Sequence, residues 1–230
     1  MLVDRRVLGK ILDAAGICRE ETVLEAGTGQ GILTAELCKV AKRVVSYEVD
    51  KNLLQQTQAH LKCENLEIVN ADLFKTKNLR FDVFASNLPY SRSRDAIEWL
   101  ASQKFGRAVV MVQEEFADKL VAKPGDKNYR AISALAAHCF AIEKLFSVGR
   151  EAFEPRPKVE SAVIRIIPFN TVAKETIKNL KLLFSKRNKK ASTVAHKAGI
   201  KTHFSRKRIS QLEPSDLVKI AELMQSVHSL

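Results

Sequence analysis

Long apolar runs are missing from this 230-residue chain, and with them any stretch of the roughly 20 apolar residues that a membrane-spanning helix requires. Residues Met1 to Arg6 lead straight into a helical pattern where a secretory signal would carry its apolar core, so the protein is expected to remain in the cytoplasm. Cysteine is scarce and scattered: Cys18, Cys38, Cys63 and Cys139 form no Cys-x-x-Cys pair, which argues against both a zinc site and a disulfide framework. The five histidines, His60, His138, His196, His203 and His228, show no ligand spacing, and no metal is expected. Internal repeats and low-complexity tracts are absent as well. Acidic residues are the minority charge, 26 against 38 basic, giving a formal net charge of +12 and a pI near 9.6. Such an excess points to a polyanionic partner, either nucleic acid or an anionic membrane surface.

What is present begins with enough apolar residues, 46% of the chain, to fill one large core, with or without a small appendage. Val7, Leu8, Ile11, Leu12 and Ala15 recur at helical spacing from Asp4 to Ala15, and Gly16 closes the segment. A rhythm of short apolar strands and amphipathic helices follows: strands at Thr22 to Glu25, Val44 to Val49, Leu66 to Val69, Phe81 to Ser86 and Arg107 to Val112, with helices at Ile32 to Ala41, Asn52 to Leu61 and Arg94 to Ser102 between them. Alternation of this kind predicts a parallel sheet with crossover helices. Helices are further expected from Glu114 and over Ala131 to Phe140, then late strands at Ala141 to Val148 and Ser161 to Pro168. Past Pro168 strand signals stop, and helical segments at Val172 to Phe184 and Pro214 to Ser226 flank a polar basic run. The expected organisation is therefore a catalytic-type α/β domain over 1–168 and a small helical domain over 169–230. The second stretch holds 13 basic against 4 acidic residues, most of the chain's excess.

The first strand runs into Glu25-Ala26-Gly27-Thr28-Gly29-Gln30-Gly31, a turn whose glycines permit positive φ and close approach of a ligand to the main chain. Glu48, about twenty residues later at the end of the second strand, is placed to accept both hydroxyl hydrogens of a ribose. These two features suit a nicotinamide dinucleotide as well as S-adenosylmethionine. Asn70-Ala71-Asp72-Leu73-Phe74 at the third strand end favours the latter, because it adds a carboxylate where an adenine amine could bind. Ligands of open α/β folds lie along this edge of the sheet.

Ser86-Asn87-Leu88-Pro89-Tyr90-Ser91 follows the fourth strand. A ring-conjugated amine such as adenine N6 is a poor nucleophile, since its lone pair is delocalised. An Asn oxygen and the adjacent backbone carbonyl can accept the two N–H bonds and direct the lone pair toward a methyl donor, while Pro89 stiffens the loop and Tyr90 offers a stacking face.

With these motifs the chain resembles the ribosomal RNA adenine N6,N6-dimethyltransferases of the KsgA and Dim group. The resemblance runs from Leu2 to about Pro168 and takes in Glu25 to Gly31, Glu48, Asn70 to Asp72, Asn87 to Tyr90, Val112-Gln113-Glu114-Glu115 and Phe153-Glu154-Pro155-Arg156-Pro157-Lys158-Val159-Glu160-Ser161-Ala162-Val163. It implies a Rossmann-like class I methyltransferase fold with a mostly parallel seven-stranded sheet, plus a small C-terminal helical domain. It also implies S-adenosyl-L-methionine as cofactor, contacted at Leu2, Glu25, Gly27, Gly29, Glu48, Val49, Asp72, Leu73 and Asn87, and a target base held by Asn87, Leu88, Pro89, Tyr90 and Phe153. The family's opening Gln, His or Asn, Phe, Leu element is matched only at Leu2, with Met1 at the position of Phe. The implied substrate is a pair of adjacent adenosines near the 3′ end of small-subunit ribosomal RNA, in a small-subunit precursor, met by a monomer. A resistance-type enzyme acting on large-subunit RNA, or a non-catalytic assembly or transcription factor on the same fold, are the alternatives. Lys186, Arg187, Lys189, Lys190, Arg206, Lys207 and Arg208 are the candidate RNA contacts.

Overall fold

The computed structural model describes residues 2–77, 79–200 and 206–227. Helix α1 (Arg5–Ala15) starts where the Asp4 carboxylate accepts the backbone N–H groups of Arg6 and Val7, at 2.8 and 3.4 Å, and stops at Gly16, whose φ of 53° turns the chain left-handed. Its buried face is Leu8, Ile11 and Ala15, the expected apolar stripe. Strand β1 (Thr22–Ala26) follows, then α2 (Ile32–Val40), β2 (Arg43–Tyr47), α3 (Lys51–His60), β3 (Leu66–Val69), β4 (Val83–Asn87), α4 (Ser93–Leu100), β5 (Arg107–Gln113) and α5 (Glu114–Leu120). The chain continues through α6 (Ala131–Cys139), β6 (Phe140–Val148), β7 (Ser161–Pro168), α7 (Lys174–Ser185), α8 (Ala191–Lys197) and α9 (Pro214–Val227).

The seven strands form one sheet in the order β3-β2-β1-β4-β5-β7-β6. The first five are parallel neighbours, and β7 runs antiparallel to β5, from Gln113↔Ser161 to Ala108↔Ile166. Ala108 to Val112 are buried without a break, as expected of a central strand covered on both faces. Val23, Val44, Val83, Val109 and Val163 join Leu8, Ile11 and Leu37 in the core, each large side chain contributing about 1.5–3 kcal/mol of burial. Chain reversal between β1 and β4 places the C-terminal ends of β1 to β4 side by side, which is what assembles the site.

Contacts divide the chain into two compact units. One comprises Met1–Ala96, Gln103–Ala117 and Glu143–Pro168; the other comprises Ile97–Ser102, Asp118–Ile142 and Phe169–Leu230. The segment after Pro168 thus shares its unit with α6, an almost wholly buried apolar helix that packs on α7 and α9. Inside that unit the Tyr129 hydroxyl donates to Leu212 O at 3.1 Å and its ring meets Phe184 edge-on at 5.5 Å. The Asn179 amide donates to Ala221 O at 2.9 Å, fastening α7 to α9. Helix α8 lies within the stretch read from sequence as a polar basic run. Its seven residues offer only Ala191, Val194 and Ala195 to the interior, too few for a clear periodic signal. Among the described residues no helix is long and apolar enough to cross a membrane, and no His, Cys, Asp and Glu cluster could hold a metal ion. His203 and His228 lie outside the described residues.

Candidate active site

A cavity of about 550 Å³ opens at the C-terminal edge of the parallel strands, within the first unit. Its floor includes Glu25, 1% exposed, whose Oε2 accepts the Thr34 hydroxyl at 2.7 Å and the Ser46 hydroxyl at 2.6 Å. Burial pushes its carboxyl up to about 7, the Ser46 and Thr34 hydrogen bonds pull the other way, and the nearby Glu48 charge adds to the rise. The Thr28 and Ser46 hydroxyls are 2.6 Å apart, so the glycine turn is tied to the same buried network.

The turn itself requires glycine. Gly27, Gly29 and Gly31 have φ of 80, 54 and 77°, and a Cβ at Gly31 would come within 2.8 Å of Thr57 Cγ2. Gly27 N–H donates to Tyr47 O at 2.7 Å and Gly29 N–H to Glu48 Oε2 at 2.9 Å, while Glu48 Oε1 accepts Asp50 N–H at 2.9 Å. The Glu48 carboxylate is thereby held at the cavity wall with a lone pair still available on each oxygen. The Asn70 amide donates to Glu48 O at 2.8 Å and locks the ends of β2 and β3 together.

Asp72, on the far side, caps a short 3-10 turn (Leu73–Lys75) through Phe74 N–H at 3.1 Å, and the same oxygen, Oδ1, receives Arg92 Nη2 at 2.9 Å. Asn87 closes β4 and is followed by Leu88, Pro89 and Tyr90, which all line the cavity. Ser86 Oγ donates to Ala26 O at 2.6 Å, fixing this loop against the glycine turn. The Tyr90 and Ser161 hydroxyls lie 2.7 Å apart, and Leu2 pairs through its backbone with Phe153. The cavity wall therefore brings together every sequence-predicted cofactor and target-base residue, from Leu2 and Val49 to Leu73 and Phe153. Sequence reasoning missed Phe74 and Arg92, which line it too. Arg92 lies two residues past Tyr90 but has no spacing signature of its own.

In the second unit, Lys186, Lys189, Lys190, Arg206, Lys207 and Arg208 are exposed and Arg187 is half-buried. Lys190 pairs with Arg208, Ile209 N–H reaches Lys189 O at 3.0 Å and Ser210 N–H reaches Arg187 O at 3.0 Å, so the two predicted basic clusters form one surface. Partial burial beside the Arg130 guanidinium lowers the Arg187 pKa.

The sheet order with its late antiparallel strand, and a ligand cavity across the ends of β1 to β4, define a Rossmann-like methyltransferase fold. The chain belongs to the ribosomal RNA adenine dimethylase family, whose sequence profile matches residues 1–230. A probable ribosomal RNA small subunit methyltransferase A of Pyrococcus abyssi is 34% identical over 239 residues, covering 97% of this chain and 89% of the relative. The ribosomal RNA small subunit methyltransferase A of Thermotoga maritima is 35% identical over 192 residues, covering 82% and 69%. A dimethyladenosine transferase from Plasmodium falciparum superposes with a TM-score of 0.81 at 27% identity, covering 99% of this chain and 98% of that one. The 23S rRNA methyltransferase ErmE shares the fold, with a TM-score of 0.64 at 24% identity and coverage of 98% and 99%.

Proposed function

We propose that this protein transfers methyl groups from S-adenosylmethionine to N6 of two adjacent adenosines near the 3′ end of small-subunit ribosomal RNA. The observation that carries the reading is one cavity walled on one side by the glycine turn and Glu48 and on the other by Asn87 to Tyr90 with Phe153. Its volume, about 550 Å³, falls within the roughly 300–1,000 Å³ of small-molecule sites. The residues fit the cofactor: positive-φ glycines allow close approach, Glu48 can accept two ribose hydroxyls, and Asp72 can accept an adenine amine. When bound, S-adenosylmethionine supplies an electrophilic methyl group on a sulfonium centre.

The chain's own part is to present the amine. The Asn87 side-chain oxygen and the backbone carbonyl beside it accept the two N6 hydrogens, which turns the nitrogen lone pair out of the base plane. Among the described residues no side-chain hydrogen bond occupies Asn87, so its oxygen is available. Tyr90, whose hydroxyl partners Ser161, and Phe153, anchored on Leu2, supply aromatic faces for the base. Methyl transfer to N6 would leave a surplus proton on the amine that can pass to water, so the chain need not supply a dedicated base. The basic surface of the second unit then holds RNA phosphates, and we take the partner to be a small-subunit precursor met by a cytoplasmic monomer.

Transfer of radiolabelled methyl to small-subunit particles and to naked RNA, followed by nucleoside analysis, tests the reading. Asn87→Ala is expected to leave cofactor affinity within a few fold and to slow methylation by about a hundredfold or more. Normal turnover in that variant would remove adenine amine chemistry from this site.

A further inference from the structure

Arg92 stands at the junction of the two halves of the cavity. Its backbone N–H donates to Pro89 O at 2.8 Å, closing the turn after Asn87 to Tyr90, while its guanidinium reaches across to the β3 end. There Nη2 lies 2.9 Å from Asp72 Oδ1, and the guanidinium carbon is 5.0 Å from the centroid of the Phe74 ring. Nε lies 3.0 Å from Asp95 Oδ2, an ion pair without hydrogen-bond alignment. A side chain held at three points and only 35% exposed is a fixed element of the wall.

The consequence falls on Asp72. The terminal torsion of an aspartate is soft, so a free carboxylate samples many orientations. Here Phe74 N–H and Arg92 both engage Oδ1, whereas Oδ2 has only the exposed Lys75 ammonium at 3.9 Å. One oxygen is immobilised and the other remains able to accept.

Resting on the reading that Asp72 receives the cofactor's adenine amine, we infer that Arg92 is a positioning residue that sets the base specificity of the cofactor site. By clamping Oδ1, Arg92 holds the carboxylate plane so that Oδ2 meets a donor at the purine 6-position. Adenine presents an N–H donor there, and hypoxanthine presents a carbonyl acceptor that the carboxylate repels. Lysine cannot replace the clamp, because an ammonium has neither the planar fork nor the face that lies over Phe74.

Calorimetric titration with S-adenosylhomocysteine and with S-inosylhomocysteine reads the effect as a ratio of affinities. The wild type is expected to favour the adenosyl compound by about tenfold or more, the scale of a charge-assisted hydrogen bond. Arg92→Ala should weaken the adenosyl compound while hardly changing the inosyl one, so that the ratio falls to within a few fold of one. Arg92→Lys, which keeps the charge and guards against a misfolded alanine variant, should recover only part of it. A variant that is merely destabilised weakens both ligands equally, so an unchanged ratio in Arg92→Ala, or a full ratio in Arg92→Lys, overturns the inference. A wild-type ratio near one instead overturns the placement of adenine at Asp72, and the inference with it.

Discussion

Glu25 shows how a charged residue can serve a ligand site from below. It lies under the glycine turn, and the two hydroxyls bonded to Oε2 tie it to α2 and to β2. With its folded pKa raised to about 7 by burial, the native state binds more protons than the unfolded state between the ordinary glutamate value and that point. Stability must therefore fall as pH rises through this window and level off above it. Glu25→Gln keeps the shape and removes the titration. Relative to wild type it should gain up to about 3 kcal/mol between pH 5 and pH 8. Urea unfolding of both proteins at those two pH values measures the difference, and parallel pH dependence would show that Glu25 ionises freely in the fold.

Arg107, the first residue of β5, does comparable work for α1. Nη1 and Nη2 grip the two Glu21 carboxylate oxygens at 2.8 and 2.7 Å, and Nε and Nη2 reach Ala15 O and Gly16 O at 2.5 and 2.6 Å. A guanidinium at a helix C-terminus satisfies carbonyls that have no intrahelical partner and meets the negative end of the helix dipole. Arg107→Ala leaves those carbonyls and Glu21 unpaired and should cost about 2–3 kcal/mol at neutral pH. The Arg107 hydrogen bonds hold the Glu21 carboxyl below its ordinary range, so its contribution is present above that range and is lost as pH falls through the depressed value. The penalty of Arg107→Ala should accordingly shrink in acid, and denaturant midpoints at pH 7 and pH 3 would show it. An equal penalty at both would assign the role of Arg107 to packing alone.

Charge and chemistry are segregated across the molecule. The cavity lies in the first unit, and the basic residues on 186–190 and 206–208 lie in the second. Neutralising Lys186, Arg187, Lys189 and Lys190 together should weaken RNA binding across sequences. It should also flatten the slope of log affinity against log salt, by roughly 0.7–0.9 per lost phosphate contact. Cofactor affinity should not change. Affinities of wild type and quadruple variant over a salt series decide the matter, since identical slopes would make this surface a solubilising face.

Much of the architecture was legible because its signals are local. Strand alternation, the helix stop at Gly16, the glycine turn and the Asn87 to Tyr90 loop each depend on residues a few positions apart, and candidate residues at the strand ends could be named once the strands were placed. What could not be read were relations between separate elements: the grip of Arg92 on Asp72, the burial of Glu25 between Thr34 and Ser46, and the company α6 keeps with α7 and α9. Arg92 has no signature in the sequence, and only the folded chain shows its guanidinium reaching Asp72 at the β3 end. Glu25 reads from sequence as a cofactor contact, and the fold adds that the Ser46 and Thr34 hydroxyls bind its carboxyl where it lines the cavity. Propensity and periodicity act along the chain, whereas which side chain faces which carboxylate is decided by sheet order and crossover packing, and only the folded chain holds those distances.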